Sequence, residues 1–308
     1  MKVAYLTHPS SVRHDMGSYH PECPDRVTVI GDRLLAMGLL DYVDAYEAPA
    51  VTCEQAVRAH TQLHWDQLHA QSPASGLVPV DPDTFMGPET LNAALHAAGA
   101  LVKATDLVIG GEARRAFCNV RPPGHHATRS EAGGFCFLNN VAIGVRHALD
   151  VHGLERVALI DFDVHHGNGS EDILAGDERV LMVSTFQSHL YPFSGDIPRG
   201  GNMCNVPLAA YSDGQALRDA VEMRWLPALR EYAPQMLFVS AGFDAHRDDE
   251  MSMLGWRDQD YAWVSRVLVD FADECCEGRL VSTLEGGYAL PALARCVELH
   301  MRALLGID

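Results

Sequence analysis

Val157-Ala-Leu-Ile-Asp161-Phe-Asp163-Val-His165-His166-Gly-Asn168-Gly169 decides how this chain is read. Residues 157–160 are apolar and β-prone, as in a strand buried on both faces. They run straight into carboxylates and imidazoles. The same transition recurs elsewhere. Residues 116–120 lead into Arg121-Pro-Pro-Gly-His125-His126, residues 236–240 into Ala-Gly-Phe-Asp244, and residues 280–284 into Glu285-Gly-Gly-Tyr288. Residues 3–6 and 180–184 are further β-rich runs. Helical patterns lie between most of them. One opens at Pro88 and stops at Gly110-Gly111, and another spans about 140–153. A third, 214–232, has Ser212 as its expected cap, and a last one opens at Pro291 and ends at Gly306. Strands alternating with helices predict an α/β fold with a mostly parallel sheet covered on both faces. In such sheets ligands gather beyond the carboxyl ends of the strands, where these polar clusters fall.

The bulk composition fits one globular domain over residues 1–308. Hydrophobic residues make up 47% and charged residues 21%. Neither an internal repeat nor a linker interrupts the chain, and 72–88 is its best candidate for a long surface loop. The net charge of −18 does not suit direct contact with nucleic acid but suits cationic substrates such as basic peptides or polyamines. No apolar run reaches the roughly 18 residues of a membrane helix. The amino terminus has no secretory apolar core, so a cytoplasmic location is expected. Eight cysteines without a C-x-x-C pair read as a reduced chain, not a zinc ribbon.

Asp163 and His165 are two apart, so at a strand end both side chains can reach one ion. Asp244 completes an Asp-His-Asp set that leaves room for water or a carbonyl, the open coordination of hydrolytic metal sites. Zinc fits this set, and so does iron(II) or another divalent metal. An imidazole ordinarily titrates near neutrality, so His125 and His126 can exchange protons beside such a metal, while Asp161 can orient one of them. Tyr288 can offer its phenol to a carbonyl oxygen, and Phe135 and Tyr191 can wall an apolar channel. Each feature taken singly also has an ordinary structural explanation.

Together, the segments resemble the histone deacetylase family. The matching blocks are His20-Pro-Glu-Cys-Pro-Asp-Arg26, Arg121-Pro-Pro-Gly-His-His126, Gly133-Gly134-Phe135-Cys-Phe-Leu-Asn-Asn140, 161–169, Ala241-Gly-Phe-Asp244 and Glu285-Gly-Gly-Tyr288. The resemblance implies a three-layer αβα arginase-deacetylase fold and hydrolysis of an acetyl amide. It implies Asp163, His165 and Asp244 as zinc ligands and His125 paired with Asp161. His126 would be the general base, and Tyr288 the hydrogen-bond donor to the acetyl carbonyl. Gly134, Phe135 and Tyr191 would flank the acyl tunnel, with Met251 at the rim and Arg26 toward the inner end. A potassium ion would be held around Asp161, Asp163, His165, Ser184 and Thr185.

Asn168 stands where class I members carry Asp, as in class II and bacterial class II-like enzymes, and Asp83-Thr-Phe points the same way. Phe186 replaces a histidine common in the family. The expected substrate is an acetylated lysine in a protein or peptide, with acetylated polyamine as the alternative at the same site. An arginase-like dimanganese hydrolase and an inactive binding module are more distant readings. Homo-oligomerisation is left open.

Overall fold

The computed structural model describes residues 2–307. Its ten strands are β1 (Val3–Thr7), β2 (Val43–Glu47), β3 (Val78–Pro79), β4 (Phe85–Met86), β5 (Arg115–Cys118), β6 (Val157–Asp161), β7 (Val180–Gln187), β8 (Met203–Leu208), β9 (Met236–Ala241) and β10 (Leu280–Leu284). Eight form one sheet in the order β2-β1-β5-β10-β9-β6-β7-β8. Every neighbouring pair is parallel.

Alternate residues of each strand enter opposite cores. Ala158 and Ile160 pack on one face with the helices Asp25–Ala36, Asp258–Cys275 and Leu290–Leu305. Val157 and Leu159 pack on the other with Thr90–Ile109 and Asn140–Asp150. This is the parallel sheet covered on both faces that the alternating pattern predicts, in the three-layer αβα arrangement that the resemblance implies. Each fully buried Val, Ile, Leu or Phe contributes roughly 1.5–3 kcal/mol, so the central strands anchor the loops that follow them.

The strand order explains why four separate polar clusters meet. Between β5 and β6 the chain skips two positions, which β9 and β10 later fill. The strands preceding His125, Tyr288, Asp244 and Asp163 are thereby consecutive neighbours: β5, β10, β9 and β6.

Three local expectations change. The helix beginning at Gly214 is capped by Asp213, whose side chain accepts from Gln215 N at 3.0 Å, and not by Ser212. Asp reaches the N–H two residues on from the position immediately before the helix. That helix reaches Tyr232 through a π turn, Val221–Trp225. Residues 72–88 are not wholly irregular, because β3 pairs antiparallel with β4 and buries Thr84 and Met86. Among the described residues, no helix is long and apolar enough to cross a membrane.

Candidate active site

Asp163 and His165 leave the end of β6, and Asp244 follows β9. Their ligand atoms lie within 4.8 Å of one another, and all three residues are buried. His165 Nδ1 is 3.0 Å from Asp163 Oδ1 and 3.2 Å from Asp244 Oδ2. Backbone donors fix the outward oxygens. Asp163 Oδ2 accepts from Gly286 N at 2.8 Å, and Asp244 Oδ1 accepts from Val164 N at 3.0 Å. Asp244 Oδ2 is buried with no hydrogen-bond partner. Burial and the facing Asp163 push the Asp244 carboxyl up to about 6. Two facing buried carboxylates, one of them raised by burial and by the other, with one oxygen unsatisfied beside an imidazole, form a donor set that a divalent cation relieves. The residues therefore fit a metal.

Gly286 is required by this crowding. A Cβ there would stand 2.0 Å from Asp244 Oδ2 and 2.6 Å from Asp163 Oδ2. The Gly-Gly before Tyr288 thus lets the backbone pass directly against both carboxylates.

The tandem histidines approach from β5. His125 Nδ1 lies 3.0 Å from Asp161 Oδ2, the pairing expected from the sequence. Burial opposes charge on His125, but Asp163 and Asp161 outweigh it and raise the group to about 10. His126 goes the other way. Burial, His125 and His165 all disfavour its charge, and its pKa falls well below the usual histidine range. Its Nδ1 is 2.7 Å from Asn168 Oδ1, while Asn168 Nδ2 faces the His126 carbonyl at 3.5 Å. The amide orientation that donates to that carbonyl makes Oδ1 the acceptor for Nδ1–H, leaving Nε2 with a free lone pair.

A narrow cavity of about 90 Å³ reaches this cluster, lined by His126, Gly134, Phe135, His165, Tyr191, Tyr288, Met251 and Asp83. The Phe135 and Tyr288 rings meet edge-on with centroids 6.0 Å apart, and Tyr191 meets His126 edge-on at 5.0 Å. Gly134 has φ +56, and a Cβ there would stand 2.6 Å from the His126 ring and 2.8 Å from the Tyr191 hydroxyl. Burial holds the Tyr288 phenol well above its usual value, so it stays protonated near neutrality.

Arg26 lies behind Tyr288, with Cζ 4.9 Å from the ring centroid. It donates to the Gly287 carbonyl at 2.7 Å and to the Glu285 carbonyl, bracing the loop that carries the tyrosine. Ser184 pairs with Asp161 in the β6–β7 register, and Thr185 is buried with its hydroxyl unpartnered. Phe186 packs against the His166 ring at 4.9 Å.

Several supporting residues were not assigned roles from sequence. Glu285 Oε2 accepts from Gly124 N at 2.7 Å and His125 N at 3.1 Å, and its Oε1 accepts from the Ser240 hydroxyl at 3.1 Å. It ties β10 to the histidine loop and to β9. Asp249 Oδ2 accepts from Tyr288 N at 2.6 Å and Ala289 N at 2.9 Å, while Oδ1 accepts from Met251 N at 3.0 Å. One carboxylate thus positions both the tyrosine and the rim methionine. Deeper still, Glu22 is wholly buried against Arg26, Arg121 and His14. Glu285, Glu22 and Arg121 all lie inside the quoted blocks, and that placement was the available signal. Asp249 lies outside them and carried none.

The comparisons with known proteins agree with this geometry. The family model described as "Histone deacetylase domain" matches residues 20–304. A "Probable deacetylase" of Archaeoglobus fulgidus is 33% identical over 100% of this chain and 88% of its own length. A "Histone deacetylase-like amidohydrolase" of Pseudomonas aeruginosa is 33% identical over 94% of this chain and 77% of its own. The crystal structure of the HDA15 HD domain superimposes with a TM-score of 0.93 at 28% identity, covering 99% of this chain and 90% of that one. The family implies a metal ion and an acetylated substrate. From the match across nearly its whole length and the buried carboxylate–imidazole centre, this chain is an enzyme of the histone deacetylase family.

Proposed function

We propose that this enzyme hydrolyses the acetyl amide of N-acetylated lysine in peptides or proteins, using zinc held by Asp163, His165 and Asp244. The observation that carries the reading is the narrow cavity ending at the His126–Tyr288–His165 cluster. Its apolar walls, Phe135, Tyr191 and Met251, suit the four-methylene stem of lysine. Zinc, when bound, supplies Lewis-acid polarisation of the amide carbonyl and acidifies a water.

The remaining chemistry belongs to side chains. His126, neutral and with its Nε2 lone pair free, takes the proton from the attacking water. The Tyr288 phenol donates to the carbonyl oxygen as negative charge develops there. The proton gained at His126 then passes to the departing amine, giving acetate and free lysine. His125, anchored by Asp161, contributes positive charge beside the developing oxyanion. Gly134 allows the tunnel wall to close on His126, and Arg26 holds the Tyr288 loop from behind. The cation assignment also includes potassium at Asp161, Asp163, His165, Ser184 and Thr185, next to the zinc ligands. The hydroxyl of buried Thr185, without a hydrogen-bond partner, supports this reading as an oxygen donor open to a cation.

One observation favours the second reading, an acetylated polyamine. Asp83 borders both the narrow cavity and the shallower depression beside it, so a cationic amine could meet a carboxylate at the mouth. Turnover of an acetyl-lysine peptide and of acetylputrescine by the same zinc-loaded preparation separates the two. Preference for the peptide in kcat/KM supports the lysine reading, and preference for acetylputrescine overturns it.

A further inference from the structure

Among the described residues, three groups of side chains converge closely enough to hold an ion. Asp163, His165 and Asp244 are the catalytic set. The second group, His246, Asp258 and Cys296, is closed to a cation by Arg295. Its Nε lies 2.7 Å from Asp258 Oδ2 and its Nη2 3.3 Å from Oδ1. The third, Asp106, His147 and His152, has no guanidinium in it. The ion-pair partners of Asp106 are the two histidines themselves.

We propose that Asp106, His147 and His152 form a second divalent-metal site, suited to zinc and separate from the catalytic centre. The Nε2 atoms of His147 and His152 lie 2.8 Å and 2.7 Å from the same oxygen, Asp106 Oδ1. Their rings are crossed at 82° with centroids 5.1 Å apart, so the two nitrogens aim at one point from different directions. Two imidazoles and a carboxylate are a common zinc donor set. With zinc–ligand bonds of roughly 2.0–2.1 Å, tetrahedral ligand atoms stand about 3.3 Å apart. An ion replacing the two bridging protons therefore requires movements of about half an ångström. The Nδ1 of His147 is buried without a hydrogen-bond partner, so the contact of Nε2 with Asp106 is what orients the ring. The Asp106 side chain is 44% exposed and that of His152 24%, against 7% for His147. That leaves a solvent side where water completes the coordination.

The location gives the site its role. Asp106 lies in the last turn of Thr90–Ile109, His147 in the last turn of Asn140–Asp150, and His152 just beyond. These two helices pack side by side in one layer. Their carboxyl ends lie toward the amino ends of the parallel strands, across the sheet from the acyl cavity. The other end of Asn140–Asp150 is capped by Asn139, which donates to the Ala127 carbonyl next to the tandem histidines. A metal at Asp106–His147–His152 is thus a clip between helices that stabilises the fold by mass action and takes no part in catalysis.

The test is zinc stoichiometry after dialysis against buffered free zinc, for the unmodified protein and for His152→Ala and Asp106→Asn. The difference between proteins is counted whatever the occupancy of the catalytic set, so its failure is distinct from failure of the deacetylase reading. Two zinc ions per unmodified chain, falling to one in each variant with the deacetylation rate unchanged, are expected. Zinc should also raise the melting temperature of the unmodified protein more than that of either variant. Equal stoichiometry in all three proteins overturns the proposal.

Discussion

At the scale of single residues, charge placement separates the two adjacent histidines. His125 has Asp161 on its Nδ1, whereas His126 has the neutral amide of Asn168. Replacing that amide by a carboxylate would stabilise the imidazolium and raise the pKa of His126, so that its neutral base form is reached only at higher pH. For Asn168→Asp, the acid limb of the kcat/KM profile should therefore move upward by about one pH unit or more. An unmoved limb would remove His126 as the titrating base. Tyr288→Phe deletes the phenol and keeps the ring. It should lower kcat by roughly 10²–10³-fold, the size of a lost oxyanion donor, with zinc content intact. Full activity in that variant would take Tyr288 out of the chemistry. The candidate catalytic residues stood out in the sequence because each follows an apolar strand, inside a short dense block. Asp249 did not, because its role rests on three backbone donors from segments up to 40 residues away.

At the scale of elements, the loops are positioned by close backbone passage and by buried ion pairs. Gly286→Ala would drive a Cβ into the carboxylates of Asp244 and Asp163, the proposed zinc ligands. Loss of bound zinc and of activity is expected, with the fold retained by circular dichroism, and normal zinc content would contradict that reading. Beneath the histidine loop, Glu22 binds Arg26, Arg121 and His14 with all four side chains buried. Arg121→Met leaves Glu22 without its bidentate partner and should cost about 3–5 kcal/mol in denaturant unfolding. The same pair sets a pH dependence. Burial alone would raise the Glu22 carboxyl, but Arg121 and His14 prevail and hold it well below the usual carboxylate range. A depressed folded-state pKa contributes stability that is present above the unfolded value, roughly pH 4.3, and lost as pH falls through the folded one. The central strands were readable as apolar runs. The edge strands β2 and β8 were not, because Asp44, Glu47 and Asn205 break the apolar pattern. The π turn Val221–Trp225 leaves no mark in a pattern of helical period.

At the scale of the whole molecule, one topological feature concentrates the chemistry. β9 and β10 return between β5 and β6, so that four strand ends far apart in sequence become neighbours. The parallel sheet covered on both faces followed from alternating strands and helices, but the order of the strands did not, since it depends on which pairs bury one another's faces. The family match spans residues 20–304 and so takes in every strand from β2 to β10, while β1 completes the sheet between β2 and β5. The central claim is metal-dependent removal of acetyl groups at the end of the narrow cavity. The direct measurement is acetate released from an N-acetyl-lysine peptide by protein stripped with a chelator and then reloaded with one equivalent of zinc. Negligible release after stripping and recovery on reloading are predicted. Equal release by stripped and reloaded protein, or none by protein shown to hold zinc at Asp163, His165 and Asp244, would contradict the claim.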